Sequence, residues 1–510
     1  MNPLFLLALI ITPLLGGFCI IPQHFDDDRK RSIYAEAVVC LTSVLIWIAI
    51  AKVQRGRPVV IYSFTEDFFI EFCMDGPAML FAGMISILWP LVMPYAFEYM
   101  EHERRKNGFF AFYVMTYGIT LGIAFAANMT TLYVFYEMLS LVTIPLVSHY
   151  MDHESMYAGR KYAAFTIGGA SLAFFAVVMT TLWGNSGRFI YGGSVKAAPG
   201  SVILQTAFLF GFFGFGVKAA IFPLHSWLPT ASAAPTPVTA LLHAVAVVNS
   251  GVFAVLRLVW YVFGPELLTG TKAADIALLT AEFTLVYAAF LAVKERHFKR
   301  RLAYSTVSNL SYMLTGILLL TPYGLEAGMM HMVFHSVIKM SLFLCAGAFM
   351  HMTGNAYVYE VNGVGRQMKV TFIFYTLSAL SLTGIPLLCG FVSKWHLVLA
   401  CLRRADMISY IGGAALILSA FACAVYTLSV SIRAFFPITG TDWYQAARPA
   451  SASTEGAPAA AAARTKKGKT VTDPGIRMLL PIVVFGIINV IFGVFPHPLV
   501  KLLEAIASGM

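Results

Sequence analysis

Five ionisable side chains interrupt long apolar runs of this sequence, and they are the first candidates for chemistry. They are Glu137, Lys218, Glu282, Lys339 and Lys394. A charge at the centre of a bilayer costs about 3 kcal/mol or more, and such residues usually mark the path of an ion or a proton. If the apolar runs cross a membrane, these five positions therefore predict a transport function.

Two histidines precede Lys339 at intervals of four residues, in the stretch GMMHMVFHSVIKMSLF. On a helix this spacing places His331, His335 and Lys339 on one face, over a depth of roughly 12 Å. Histidine exchanges protons near neutral pH, so the stripe predicts a proton relay. A metal site fits less well, because no H-E-x-x-H glutamate is present and Lys339 would repel a cation. Histidines that only pack and hydrogen-bond remain the alternative.

Lys218 and Lys394 each lie close to a proline inside an apolar run. Pro223 follows Lys218, and Pro386 precedes Lys394. Proline interrupts a helix, and matching interrupted helices in two halves of a chain are typical of inverted-repeat transporters. Burial disfavours the charged form of a lysine and a nearby carboxylate favours it, so a lysine between the two effects can load and release a proton. For Lys218, a kinked and purely structural helix is the alternative.

Four other titratable residues have more than one interpretation. Glu137 lies near the centre of its run, where it is either a relay group or a packing glutamate paired with a neighbour. Glu282 is equally consistent with a functional role and with a structural pair, for which Arg257 is the candidate partner. His225 and His243 flank the turn LPTASAAPTPVTALLH, which we expect at the cytoplasmic entrance of the predicted ion path. They are candidates for passing protons from bulk water, with capping or packing as the alternative.

Composition indicates a membrane protein without a redox cofactor. The chain has 510 residues, of which 59% are apolar and 12% charged, whereas a soluble domain is nearer half apolar and a quarter charged. Apolar runs of about 20 residues recur along almost the whole length, which predicts about 14 spanning helices. The seven cysteines form no C-x-x-C pair, so we expect no iron–sulfur, zinc or haem ligand set and no cofactor.

Charge placement predicts the orientation of the chain. The net charge of +10 comes from basic residues in short loops between apolar runs, which favours a lipid bilayer over nucleic acid as the partner. Most of these residues follow odd-numbered runs, which places those loops in the cytoplasm and both termini outside. Segment 58–75 is expected to be an extracytoplasmic loop or hairpin. The stretch SASTEGAPAAAAARTKKGK, within residues 437–477, predicts a disordered cytoplasmic linker.

Five stretches resemble the signature of the antiporter-like subunits of respiratory complex I. The same family includes Mrp-type sodium/proton antiporter subunits and the membrane subunits of energy-converting hydrogenases. The stretches occur in the family's order within residues 70–435, and they are VKAAIFPLHSWLPTASAAPTPVTALLHA, FKRRLAYSTVSNLSYM, HMVFHSVIKMSLFLCAGAFMH, VNGVGRQM and GFVSKW.

The resemblance implies an all-α polytopic membrane protein with about 14 helices, two inverted five-helix repeats and interrupted helices 7 and 12. It divides the chain into an N-terminal three-helix segment (1–98), a first antiporter-like half (108–262), a second half (273–436), the linker (437–477) and a C-terminal helix (478–510). The relay that it implies runs from Glu137 paired with Lys218, through His331, His335 and Lys339, to Lys394 as the exit residue.

The chain departs from the family pattern at three positions. Asn249 stands where many members have a lysine, so a link from Lys218 to His335 would need water. Thr230 and Ser232 stand where aspartate and histidine are common. These two residues make the chain more similar to hydrogenase-type or Mrp-type members than to complex I itself.

The resemblance implies a proton- or sodium-translocating subunit of a redox-driven pump, complex I-like or hydrogenase-like, in a bacterial or archaeal plasma membrane. Its expected partners are homologous antiporter-like subunits, other membrane subunits, the lipid bilayer, and H⁺ or Na⁺. Electron transfer would belong to those partners, and no nucleic acid is expected. The alternatives are an Mrp-type sodium/proton antiporter subunit not coupled to electron transfer, a standalone antiporter, and a structural anchor without transport.

Overall fold

A computed structural model describes residues 3–23, 25, 27–52, 57–184, 187–196, 201–437 and 471–509. In these ranges the chain is predominantly helical, and ten helical segments are long and apolar enough to cross a membrane. Most of the predicted linker, residues 438–470, lies outside the described residues. The only described sheet is a hairpin of β1 (Val59–Ser63) and β2 (Phe69–Phe72), which agrees with the expected loop or hairpin at 58–75.

The described α-helices are numbered in chain order. Those of the first part are α1 (Pro3–Ile20), α2 (Asp28–Lys52), α3 (Gly76–Tyr99), α4 (Lys106–Phe125), α5 (Met129–Val147), α6 (His153–Trp183), α7 (Val202–Gly216), α8 (Trp227–Ala231), α9 (Thr236–Ala244), α10 (Val247–Arg257) and α11 (Pro265–Leu268). Those of the second part are α12 (Lys272–Lys294), α13 (Phe298–Leu318), α14 (Pro322–Thr353), α15 (Lys369–Thr383), α16 (Cys389–Arg404), α17 (Met407–Phe435), α18 (Ile476–Val494) and α19 (His497–Ala507).

Two stretches expected to be interrupted are broken in the structure. Helix α7 ends at Gly216, and turns lead to α8 at Trp227. Helix α15 ends at Thr383, and α16 begins at Cys389 after a short connection. The C-terminal segment 478–510, predicted to hold one helix, holds two, because Pro496 and Pro498 flank His497 and α18 cannot continue through them.

The helices that carry most of the candidate residues lie in the interior. In the apolar 18-residue core of α14, and in that of the segment from α9 to Phe263, 100% of the stretch is buried inside the protein. In α2 and α18 the corresponding share is 33%. A helix that is apolar on all sides must be covered by other helices or by lipid. The histidine stripe of α14 is therefore enclosed by protein.

Polar caps begin several of these helices. The side chain of Asp75 accepts a hydrogen bond from the amide of Ala78 at the start of α3, and Asn128 accepts one from Thr131 at the start of α5. Thr321 accepts one from Gly324 at the start of α14. Because the first amides of a helix have no partner within it, these caps satisfy donors that lipid could not.

Asp75 also forms a two-pronged ion pair with Arg257, which joins the start of α3 to the end of α10. The Nη1–Oδ2 distance is 2.5 Å and the Nη2–Oδ1 distance is 2.6 Å. The guanidinium is fully buried, and its central carbon lies 4.6 Å from the centre of the Tyr261 ring. Arg257 is therefore not the partner of Glu282, which corrects that expectation. Among the described residues, neither carboxylate oxygen of Glu282 has a hydrogen-bond partner.

We predict that Asp75→Asn lowers the free energy of unfolding by about 3–5 kcal/mol, because the Arg257 guanidinium would remain buried without its counter-charge. Thermal unfolding of the purified chain in detergent measures the loss. The double variant Asp75→Asn/Arg257→Met should lose less than Asp75→Asn alone. Glu101→Gln, at an exposed position, is the control. A single Asp75→Asn variant as stable as the wild type would disprove the structural role of the pair.

Candidate ion path

Lys218 lies in the break that follows α7, and it is fully buried. Its Nζ donates a hydrogen bond to the backbone carbonyl of Tyr136 on α5, and it lies 3.4 Å from the centre of the Tyr136 ring. The Tyr136 hydroxyl in turn donates to the carbonyl of Phe215 near the end of α7, at 2.7 Å. The ammonium group is therefore held by neutral and aromatic acceptors.

Glu137 follows Tyr136 on α5 and interacts electrostatically with Lys218. No ion pair within 4.0 Å joins the two among the described residues. One buried carboxylate oxygen of Glu137, Oε1, has no hydrogen-bond partner in the described part of the chain. The structure thus places the acid and the lysine as neighbours without direct contact.

Helix α10 packs directly on the break that holds Lys218. A Cβ atom added to Gly251 would lie 2.3 Å from the Ala219 nitrogen and 2.7 Å from the Lys218 carbonyl carbon. Two residues earlier, the Nδ2 of Asn249 donates to the Ala244 carbonyl at 2.9 Å and to the Ser336 hydroxyl at 2.8 Å. Asn249 therefore joins the neighbourhood of Lys218 to α14.

His331 on α14 has a hydrogen-bond partner at each ring nitrogen. Its Nε2 lies 3.2 Å from Oδ1 of Asn309, and its Nδ1 lies 2.9 Å from the Ser393 hydroxyl. The Asn309 amide nitrogen donates to the Ser305 carbonyl at 2.7 Å, which fixes Oδ1 as the atom facing the histidine. An amide oxygen only accepts, so Nε2 of His331 carries a proton.

His335 lies one turn further along α14, with its ring centre 6.0 Å from that of His331. The side chain is fully buried, and within the described residues neither ring nitrogen has a hydrogen-bond partner. Leaving a buried polar group unsatisfied costs about 1–3 kcal/mol. The same applies to Oδ1 of Asn249, which also lacks a partner there. The polar groups of the path are therefore least satisfied between Lys218 and His331.

Lys339 completes the stripe on α14 and is held by α13. Its Nζ donates to the Leu302 carbonyl at 3.1 Å and to the Ser305 hydroxyl at 2.6 Å. The Ser305 hydroxyl also lies 2.7 Å from the hydroxyl of Tyr426 on α17. Two hydroxyl groups therefore extend from Lys339 toward α17.

Lys394, on α16, reaches back across the break to the end of α15. Its Nζ donates to the carbonyls of Leu382, at 2.5 Å, and Thr383, at 3.3 Å. The last carbonyls of a helix have no intrahelical partner and carry partial negative charge, so they are good acceptors for an ammonium. Gly384 follows with φ of +102°, a conformation that favours glycine, and a Cβ there would lie 3.3 Å from Cδ of Lys394.

The two histidines that flank the Pro-rich turn differ in environment. His243 is fully buried, with Nδ1 2.8 Å from the Thr239 carbonyl and Nε2 3.1 Å from the Leu228 carbonyl. Since both partners only accept, both contacts are hydrogen bonds only when the ring is protonated. His225 lies in the break and packs against Tyr287, and its Nδ1 has no partner in the described structure.

Sequence reasoning missed the hydroxyl and amide groups that connect the titratable residues. Ser305 and Asn309, which contact Lys339 and His331, and Tyr312, whose ring stacks on His331, occupy one face of α13 at intervals of four and three residues. That periodicity was the available signal, but serine and tyrosine are common in apolar helices. Within the described residues, no group of three His, Cys, Asp or Glu side chains could hold a metal ion.

Comparison with known proteins identifies the family. Residues 126–421 match the family described as NADH:quinone oxidoreductase/Mrp antiporter, TM. The NADH-quinone oxidoreductase subunit N of Desulforudis audaxviator (strain MP104C) is 27% identical over 506 residues, which cover 97% of this chain and 93% of that protein. A probable K(+)/H(+) antiporter protein of Rhizobium meliloti (strain 1021) is 30% identical over 396 residues, which cover 76% of this chain and 38% of that protein.

The chain spans about half or less of the length of the curated antiporter proteins that it matches first. A chain in the solved Mrp complex of Dietzia sp. DQ12-45-1b has the same fold, with a TM-score of 0.81 and 20% identity over 100% of this chain and 98% of that one. The chain is a multi-pass membrane protein, and it belongs to the NADH:quinone oxidoreductase/Mrp antiporter transmembrane family.

Proposed function

We propose that this chain translocates protons as one member of a multisubunit membrane complex. The observation that carries the proposal is that the three lysines of the candidate path, all of them buried, are held by carbonyls and hydroxyls rather than by carboxylates. Neutral acceptors stabilise an ammonium less than a carboxylate does, and they tolerate the neutral amine. Lys218, Lys339 and Lys394 are therefore suited to gaining and losing a proton.

The proposed path follows the contacts from the first break to the second. Gly251 packs against the backbone of Lys218, and Asn249, two residues earlier on α10, donates to Ser336, which follows His335 in the chain. His335 lies beside His331, and His331 contacts the hydroxyl of Ser393, the residue before Lys394. An amide cannot titrate at physiological pH, so we propose that water carries the proton past Asn249 to His335.

Glu137 is the proposed control element of this path. A change of its charge, imposed by a neighbouring subunit, would alter the electrostatic stabilisation of the Lys218 ammonium. Lys218 would then pass its proton toward His335 and Lys339, and Lys394 would release it on the other side. The histidines at the Pro-rich turn, His225 and His243, would take up protons from the cytoplasm. Glu282 has no part in this path.

We also propose the finer architecture that the family resemblance implies. It comprises about 14 spans, with inverted five-helix repeats in 108–262 and 273–436, a leading segment at 1–98 and both termini outside. Support comes from the two broken helices, each of which lies beside a buried lysine. The linker 437–477 would lie in the cytoplasm, and 478–510 would form the C-terminal helical segment.

The complex that we favour is a redox-driven pump in a bacterial or archaeal plasma membrane. The relative named NADH-quinone oxidoreductase subunit N matches over nearly its whole length, which supports that choice. A place in an Mrp-type antiporter is the second candidate, because the Mrp complex chain covers the whole fold and Thr230 and Ser232 resemble that branch. Homologous membrane subunits would be the neighbours in both cases, with Na⁺ as the alternative ion.

We predict that Lys218→Met lowers proton translocation by about 100-fold or more, because it removes a group that carries the proton. Proteoliposomes of the assembled complex, loaded with a pH-sensitive dye, measure the rate, and radioactive sodium uptake tests the alternative ion. Lys272→Met, at an exposed lysine, is the matched control and should translocate normally. Normal rates in Lys218→Met would show that this lysine is not on the path.

We predict that Gly251→Ala also impairs translocation, because its methyl group would overlap the backbone of Lys218 and Ala219. The loss should exceed any loss of thermal stability of the assembled complex, which is measured on the same sample. Gly108→Ala is the control, since no atom lies within 4 Å of a Cβ added there. If both glycine variants translocate equally well, the close packing of α10 on the break does not matter for function.

A further inference from the structure

A cavity of about 350 Å³ lies outside the proposed path, between the C-terminal ends of α12 and α17 and the start of α13. Four of its lining residues are basic, namely Lys294, Arg296, Arg301 and Arg433. This end of the helices is the one that the excess of loop lysine and arginine assigns to the cytoplasm. Basic groups at the cytoplasmic ends of spanning helices lie at the level of lipid head groups.

Three of the four basic residues of the cavity form no ion pair with a described carboxylate. These three are Lys294, Arg301 and Arg433. Glu295, which lies between Lys294 and Arg296 in the sequence, accepts hydrogen bonds at Oε1 from two backbone amides, at 2.8 and 2.9 Å. An anion that entered the cavity would therefore meet several cations without displacing a protein carboxylate from them.

Arg301 is held in a fixed orientation at the cavity wall. Its Nε donates to the Glu295 carbonyl at 2.8 Å, and its Nη1 donates to the Tyr426 carbonyl at 3.2 Å and the Ser429 hydroxyl at 3.3 Å. No described acceptor takes the hydrogens of Nη2. A guanidinium positioned in this way loses little side-chain freedom when it binds a phosphate.

An apolar face continues from the cavity along α17. Val425 lines the cavity and is 51% exposed, and Phe421 and Ile432 are 74% and 59% exposed on the same side of the helix. In a membrane protein, such a face contacts acyl chains. Basic groups at the rim and an apolar face beside them match a molecule with a phosphate and long hydrocarbon chains, whereas a free phosphate would use the rim alone.

We propose that this cavity binds the phosphate group of an anionic phospholipid, whose acyl chains lie along the exposed face of α17. The cavity wall also contacts the candidate path. Tyr426 lines the cavity, and its hydroxyl is 2.7 Å from Ser305, which accepts a hydrogen bond from Lys339. The bound head group is therefore separated from Lys339 by two hydroxyl-bearing side chains. Binding itself does not depend on the proposed transport function.

Native mass spectrometry of the full-length chain, purified in an uncharged detergent, tests the proposal. The chain is titrated with dioleoylphosphatidylglycerol, with dioleoylphosphatidylcholine or with inorganic phosphate. We expect retained phosphatidylglycerol, little phosphatidylcholine, and no effect of inorganic phosphate at the same concentration. Lys294→Gln/Arg433→Gln should weaken phosphatidylglycerol binding by about 30-fold, the effect of removing two basic residues beside an anionic lipid.

The control is Arg160→Gln/Lys369→Gln, which removes the same charge from exposed positions at the same end of the helices. It should bind phosphatidylglycerol like the wild type. If the first double variant fails to fold, Lys294→Gln alone is used, because this side chain is exposed at the rim. Equal binding by cavity and control variants, equal retention of both lipids, or competition by inorganic phosphate at the lipid's concentration would each overturn the proposal.

Discussion

A buried ammonium group needs acceptors, and this chain supplies them largely from its own backbone. Lys394 takes two carbonyls at the end of α15, Lys218 takes one from α5, and Lys339 takes one carbonyl and one hydroxyl from α13. Lipid offers no such acceptors, so the lysines can be accommodated only where protein surrounds them. The break after α15 supplies carbonyls for Lys394, and the enclosed position of α14 surrounds Lys339 with protein.

The chain buries its cations in two different ways. Arg257 pairs with Asp75 through two short hydrogen bonds, and arginine stays charged at any physiological pH, so this pair is suited to holding α3 against α10. The three buried lysines of the candidate path have no carboxylate in contact among the described residues. Their protonation can therefore respond to a nearby charge such as that of Glu137. In the proposed mechanism, architecture and transport thus use different cations.

Much of this arrangement could be predicted from the sequence, because breaks and stripes have local signals. Pro223 and Pro386 marked the two interruptions, and the four-residue spacing from His331 to Lys339 marked one face of a helix. The family resemblance was confirmed by the match over residues 126–421. The relay roles of the individual residues remain proposals.

The unpredicted features depend on contacts between distant segments. Asp75 and Arg257 lie 182 residues apart, and no local sequence pattern indicates that they form an ion pair. The choice of Arg257 as the candidate partner of Glu282 was therefore wrong. The link from Asn249 to Ser336 and the basic cavity also require three-dimensional packing. Sequence patterns report which face of a helix is polar, but they do not report which other helix meets that face.

Solid-state ¹⁵N NMR of the full-length chain, labelled at lysine and reconstituted in bilayers, tests most directly whether a buried lysine changes its protonation state. A Lys339→Met sample assigns the signal of Lys339, and exposed Lys272 is the internal reference. We predict that the Lys339 signal changes between ammonium and neutral amine within the pH range in which the chain stays folded. A Lys339 signal that remains an ammonium at every pH at which the chain stays folded would contradict it.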